Sequence, residues 1–154
     1  MKYWNSTLRD DNLLFVRTGI DLHEYTTTGA RDEDLAHFGQ TTDATYMFTV
    51  SRLANWKRVD RASRLLADLA DEWPALKLVV CGDGEQRAAL GTLAAELSVE
   101  DRVIFLGARG REDVQRLMRA GDIFLSLYDV SNCGNPLFES MLSRNCIVTL
   151  DIGD

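Results

Sequence analysis

Residues 121–141, GDIFLSLYDVSNCGNPLFESM, contain the pattern that decides the fold of this chain. The apolar run at 123–127 predicts a short buried strand, which ends in a polar stretch with glycine and proline. A helical repeat of apolar residues begins at Leu137, with Pro136 predicted as the first helical residue and Asn135 as the N-cap. A helix N-terminus that follows a strand in this way attracts anions, because its first N–H groups lack partners and its dipole end is positive.

The chain from Tyr46 onward repeats this alternation of strand and helix. Apolar runs predict four further strands, at 46–50, 76–81, 103–106 and 147–150. Helical periodicity predicts helices at about 58–72, 86–97, 111–119 and 137–143. Continuous apolar strands are expected where helices cover both faces of a parallel sheet, so we predict a doubly wound, Rossmann-like α/β fold. Ligands of such sheets bind beyond the carboxyl ends of the strands.

Residues 1–45 are more polar and lack this regular pattern. We predict a linker there, with a short strand at 13–16 and a short helix near 32–38, and a domain at 46–154 that is truncated at its C-terminus. His23 and His37 lie in this segment without an evident partner, and both are predicted to be on the surface.

Composition narrows the class of protein. The 154 residues suffice for one core, and a net charge of −7 argues against binding nucleic acid through a basic surface. No apolar run approaches the roughly 20 residues that span a bilayer, and the first residues lack a signal-peptide core, so a cytoplasmic location is expected. Cys81, Cys146 and Trp73 stand in apolar patterns and are predicted to be core residues, the cysteines reduced.

Three groups of residues could bind a ligand at the predicted sheet edge. Arg52 and Lys57 follow the first strand, where they either neutralise phosphate groups or are solvated charges. The turn at 82–84, Gly-Asp-Gly, either shapes a ligand edge or is only a turn, since the full glycine fingerprint of dinucleotide enzymes is absent. Glu139 either faces a ligand or complements the helix dipole.

Taken together, several motifs in one order resemble the C-terminal half of GT-B glycosyltransferases of family 4. These motifs are VSRL at 50–53 with Lys57, LKLVVCGDGEQRAAL at 76–90, DRVIFLGAR at 101–109, AGDIFLS at 120–126 and GNPLFESM at 134–141. The resemblance covers residues 46–154, and residues 13–25 are similar to the hinge segment that precedes this half in the family.

The resemblance implies that the chain is the half that binds a nucleotide-diphosphate sugar, the donor of a retaining sugar transfer. The positions implied to hold the diphosphate are Arg52, Lys57, Asn135, Pro136, Leu137 and Phe138. Glu139 would bind the ribose, Gly107 and Ala108 the base, and Ser131 and Gly134 the donor sugar. No catalytic residue, metal or cofactor is implied in this half.

The chain departs from the family in two respects. Ser131 stands where the first glutamate of a Glu-x7-Glu pair is expected, and the acceptor-binding N-terminal half is missing. We therefore expect the isolated chain to bind a sugar nucleotide weakly and to transfer little or no sugar, and any peripheral membrane association to need the missing half. The alternative is a non-catalytic nucleotide-binding or interaction module on the same fold.

Overall fold

The computed structural model describes residues 30–130 and 134–151, which form a parallel five-stranded sheet with helices on both faces. The strands are β1 Thr45–Val50, β2 Leu76–Cys81, β3 Val103–Gly107, β4 Ile123–Ser126 and β5 Cys146–Thr149. The helices are α1 Arg31–His37, α2 Val59–Leu69, α3 Arg87–Glu96, α4 Arg111–Ala120 and α5 Asn135–Leu142, with short 3-10 turns at Asn55–Lys57 and Glu100–Arg102. The predicted Rossmann-like α/β fold is therefore confirmed.

The strand order is β3-β2-β1-β4-β5, with every neighbouring pair parallel. The order reverses beside β1, because β2 and β3 extend the sheet on one side of β1 while β4 and β5 extend it on the other. Phe48 of β1 pairs with Phe124 of β4 across this boundary. In an open α/β sheet, the crevice beyond the carboxyl ends of the strands at such a boundary is the usual ligand site.

Both faces of β1 are buried, as the unbroken apolar run predicts. Met47 packs in a core cluster with residues of α2 and α3, including Leu66 and Leu90. Its neighbour Phe48 faces the opposite way, into a second cluster with residues of α1 and α4, including Leu117. Successive side chains of a strand point to opposite faces, so one apolar run supplies two cores.

Helix α1 belongs to the folded domain, which therefore extends at least to residue 30 instead of beginning at residue 46. Leu35 is buried in the second core cluster. Nη2 of Arg31 donates to both carboxylate oxygens of Asp122, at 3.0 and 3.2 Å. The Asp122 carboxylate also accepts a hydrogen bond from the backbone N–H of Tyr46 at 2.8 Å. His37 is exposed as predicted, but it has a partner, the Asp113 carboxylate at 2.9 Å. The predicted strand at 13–16, the hinge at 13–25 and His23 lie outside the described residues.

Two predicted core residues are exposed. Cys146 begins β5, an edge strand that pairs with β4 and whose residues are mostly exposed, so the apolar pattern there does not mean burial. Trp73 follows the end of α2 and is 55% exposed. Cys81, by contrast, lies on the interior strand β2 and is buried as predicted.

None of the helices within residues 30–130 and 134–151 is long and apolar enough to cross a bilayer.

Candidate functional site

A cleft of about 380 Å³ lies at the carboxyl ends of β1, β2 and β3. Its lining combines strand ends, the loops that follow them, the first turns of α4 and the start of α5: Val50, Ser51, Arg52, Cys81, Gly82, Asp83, Ala108, Arg109, Val114 and Pro136. The cleft therefore brings together segments that lie far apart in the sequence, at the sheet edge where the strand order reverses.

The glycine turn after β2 joins two of these segments. The Gly82 N–H donates to the Gly107 carbonyl at 2.8 Å, and the Leu53 N–H donates to the Asp83 carbonyl at 2.9 Å. Gly82 has φ +140°, and a Cβ atom there would lie 1.8 Å from the Ser51 carbonyl oxygen. The turn is thus more than a connection, because only glycine lets the two loops approach this closely.

Two arginines supply positive charge to the cleft. Arg52 has a side chain that is 75% exposed and lies 3.5 Å from Glu85. Arg109 donates from Nε to the Leu106 carbonyl at 3.0 Å, and its Nη1 lies 3.6 Å from Asp113. Sequence reasoning missed Arg109, although a cation directly after the Gly107-Ala108 strand end was a usable signal.

Lys57 does not line this cleft. Its Nζ lies 3.7 Å from the ring centre of Tyr128 and 4.2 Å from that of Trp56, so the ammonium packs on two aromatic faces. Partial burial lowers the pKa of Lys57 from its ordinary value. The Tyr128 hydroxyl in turn donates to the Val50 carbonyl at 3.3 Å. Trp56 packs edge-on against Tyr128, so both rings brace the loop after β1.

Helix α5 begins one residue earlier than predicted. Its first residue is Asn135, and Gly134 is the N-cap in an extended conformation, so the prediction of Asn135 as the N-cap is wrong. The cause is local: Gly134 turns the chain into the helix without any capping side chain. Pro136 is then the second helical residue, and it lines the cleft. The Leu137 N–H donates to the Gly134 carbonyl at 3.0 Å.

The remaining predicted positions differ in their surroundings. Ala108 lines the cleft, and the preceding residue, Gly107, has φ +74°. Glu139 is half-buried in α5 and forms no ion pair with the residues the structure describes. Phe138 is exposed on the same helix. Ser131 lies outside the described residues.

Positively charged groups meet at a cleft of an acidic protein, beside the Asp83 carboxylate, which also lines the cleft. Arg52, Arg109 and the N-terminal end of α5 all present positive charge at one cleft, although the net charge of the chain is −7. Burial raises the pKa of the Cys81 thiol to about 11, so this lining group is neutral at physiological pH. No group of His, Cys, Asp and Glu side chains in the described ranges could hold a metal ion.

Fold and cleft together define a doubly wound α/β domain of the kind that binds phosphate-bearing ligands at its reversal point. The family described as glycosyl transferases group 1 matches residues 30–154, and the chain belongs to this family. It is 31% identical over 137 residues to the D-inositol 3-phosphate glycosyltransferase of Mycolicibacterium smegmatis, covering 79% of this chain and 30% of that protein. It is 30% identical over 104 residues to the 2-deoxystreptamine glucosyltransferase of Streptomyces kanamyceticus, covering 68% and 27%. The chain thus spans less than a third of the length of these relatives.

Solved structures agree with this assignment. HepE of Anabaena in complex with UDP and glucose superposes with a TM-score of 0.77 at 25% identity, over 88% of this chain and 37% of that one. WaaG, a glycosyltransferase involved in lipopolysaccharide biosynthesis, superposes with a TM-score of 0.72 at 26% identity, over 80% and 33%. These neighbours are GT-B glycosyltransferases, as the sequence resemblance implied.

Proposed function

We propose that this chain binds a nucleotide-diphosphate sugar in the 380 Å³ cleft, as the donor half of a retaining glycosyltransferase. The observation that carries the proposal is the meeting of Arg52, Arg109 and the start of α5 at one sheet edge. HepE, a structural neighbour, has been solved with UDP-glucose, a ligand of this class.

The two arginines and the α5 terminus would hold the diphosphate. Guanidinium groups bind phosphate oxygens through paired N–H donors, and a helix N-terminus adds unpaired N–H groups and a favourable dipole. During sugar transfer, the bond from the anomeric carbon to the diphosphate oxygen breaks, and negative charge grows on the leaving diphosphate. The same positive groups would stabilise that charge, which is the main electrostatic contribution this half can make.

The nucleoside would lie toward β3 and along α5. Ala108 lines the cleft, and the backbone of Gly107 and Ala108 would contact the base. Glu139 lies one helical turn after Asn135 and forms no ion pair with the residues that the structure describes, and a carboxylate can accept hydrogen bonds from both ribose hydroxyls.

The first prediction concerns the ligand class. The 154-residue chain should bind UDP at least about tenfold more tightly than uridine, because a charge-assisted hydrogen bond contributes roughly 1.5–3 kcal/mol. Arg109→Gln should weaken UDP binding by about tenfold and leave uridine binding unchanged. Isothermal titration calorimetry at fixed salt measures both ligands.

Lys77→Gln is the matched control, since it removes one positive charge near the amino end of β2, away from the cleft. Equal affinities for UDP and uridine would contradict the diphosphate assignment and favour the non-catalytic module. An equal loss of UDP affinity in Lys77→Gln and Arg109→Gln would show that UDP binding depends only on the net charge of the chain.

The second prediction concerns Glu139. Glu139→Gln should weaken binding of UDP and of UDP-glucose alike, by about tenfold, because both ligands carry the ribose that the carboxylate would recognise. A UDP analogue without the two ribose hydroxyls provides the control: wild type and variant should bind it equally. Undiminished UDP affinity in Glu139→Gln would place the ribose elsewhere.

A further inference from the structure

Arg58 has an unusual backbone conformation for an arginine. It precedes α2 in the left-handed region, with φ 48° and ψ 41°, where glycine is the residue that fits without strain. Its guanidinium binds the Asp60 carboxylate through two hydrogen bonds of 2.9 and 3.0 Å and reaches Asp129 at 3.3 Å. Strained backbone persists only where the surrounding contacts hold it, so the side chain of Arg58 calls for an explanation.

Asp129 joins the segment after β4 to the segment after β1. Its carboxylate lies 2.8 Å from Nη2 of Arg61 and 3.3 Å from Nη1 of Arg58. Its backbone N–H donates to the Trp56 carbonyl at 3.0 Å. Arg61 also donates from Nη1 to the Leu127 carbonyl at 2.7 Å. Asp129, Arg58 and Arg61 are called the Asp129 cluster below.

The two segments held together by the Asp129 cluster lie on either side of the sheet reversal point. One of them carries Arg52, and the other leads to Gly134, the N-cap of α5, five positions after Asp129. Arg52 and the start of α5 both belong to the cleft. Residues 127–129 therefore attach the chain that leads to α5 to the loop that carries Arg52.

We infer that the Asp129 cluster positions the start of α5 against the loop after β1, and so sets the spacing of the groups that receive the diphosphate. This inference rests on the proposed function. The three residues are positioning residues, since none of them lines the cleft and the cluster would act on it through α5 and Arg52. Arginine is needed at position 58 in spite of its strained backbone, because glycine would relieve the strain but lose the contact with Asp129.

The decisive experiment is Asp129→Asn, because two explanations predict opposite signs. If only the local field mattered, removing a negative charge and freeing two arginines would tighten UDP binding. If the cluster positions the cleft, UDP binding should weaken about fivefold to tenfold while uridine binding is unchanged. Calorimetry with the full 154-residue chain, together with thermal melts, measures this difference.

Glu112→Gln is the matched control. It also removes one carboxylate from an ion pair, the exposed pair with Arg116 on α4 at 3.0 Å, but it lies outside the cluster. UDP affinity should not change in this variant. Arg58→Gly should keep the melting temperature of the wild type, since the strain is relieved, and yet weaken UDP binding, by less than Asp129→Asn because the 2.8 Å contact between Arg61 and Asp129 remains.

A measurement without ligand separates this inference from the proposed function. Hydrogen–deuterium exchange of peptides covering α5 should be faster in Asp129→Asn than in wild type and unchanged in Glu112→Gln. Unchanged exchange, or UDP binding that is equal or tighter in Asp129→Asn, would overturn the role of the cluster. Failure of the wild type to bind UDP would instead overturn the proposed function, and faster α5 exchange in that case would still support the positioning role.

Discussion

Gly82→Ala should lower the free energy of unfolding by about 3–4 kcal/mol or prevent folding altogether, because its Cβ would make the shortest contact of any glycine that the structure describes. The added Cβ would lie 1.8 Å from the Ser51 carbonyl oxygen, and that atom belongs to backbone that cannot rotate away. The loop after β1 would have to move, and the hydrogen bond from Leu53 to Asp83 would be lost with it.

Two other glycines provide graded controls for this substitution. Gly107 has φ +74° and open space around it, so Gly107→Ala should cost only the left-handed penalty of about 1–2 kcal/mol. Gly91 lies within α3, where the added atom meets only the end of the Arg87 side chain at 3.2 Å. Gly91→Ala should therefore raise stability by about 0.5–1 kcal/mol.

Urea unfolding followed by circular dichroism gives the three values on one scale. The free energy of unfolding should fall most in Gly82→Ala, fall less in Gly107→Ala and rise in Gly91→Ala. If Gly82→Ala cost no more than Gly107→Ala, the close approach of the two loops would not be a feature of the folded protein in solution.

Asp34→Asn should lower the free energy of unfolding by about 3 kcal/mol, because it leaves two arginines beside a neutral buried amide. Asp34 is only 2% exposed. Its carboxylate accepts hydrogen bonds from Arg119 at 2.8 and 2.9 Å and from Arg116 at 3.2 Å. These bonds attach α1 to α4. The arginines are partly exposed, so water can solvate them after the substitution. The loss of stability should therefore be at the low end of the range for broken buried ion pairs.

Glu112→Gln again serves as a comparison, since it breaks an exposed pair with the same Arg116 and should cost less than about 0.5 kcal/mol. Similar small losses in both variants would mean that other contacts, such as Leu35 in the core and the ion pair of Arg31 with Asp122, hold α1 to the domain. The same urea titration, read at equal pH and salt, decides between these two accounts.

The sequence allowed the strands and helices of the sheet to be predicted because their apolar patterns are strong and local. The predicted bounds of β2, for example, coincide with the observed Leu76–Cys81. The apolar pattern alone could not show which element, if any, covers each face of a strand or helix. Cys146 and Trp73 have apolar surroundings in the sequence, but Cys146 begins an edge strand and Trp73 lies beyond the end of α2, so both are exposed.

Charged residues were harder to interpret, since their roles depend on partners far away in the chain. Asp34 looks like one more acid in a polar stretch until α4 brings Arg119 beside it, 85 positions later. Arg109 belongs to the cleft only because β3 ends beside β2. Of the predicted cations, Arg52 lines the cleft, whereas Lys57 packs on aromatic rings.

The strand order also bears on the way this domain is made by a ribosome. Strands β1, β2 and β3 are consecutive in the chain and adjacent in the sheet, so they can pair as soon as residue 107 has left the exit tunnel. β4 must then add to the opposite side of β1, after a delay of some twenty residues of translation, about 1–4 s at 5–20 residues per second. During that interval β4 is not yet in place, so the edge of β1 is unpaired and the ring of Phe48 lacks its contact with Phe124. The nascent chain can then bind a chaperone or pair with a wrong strand.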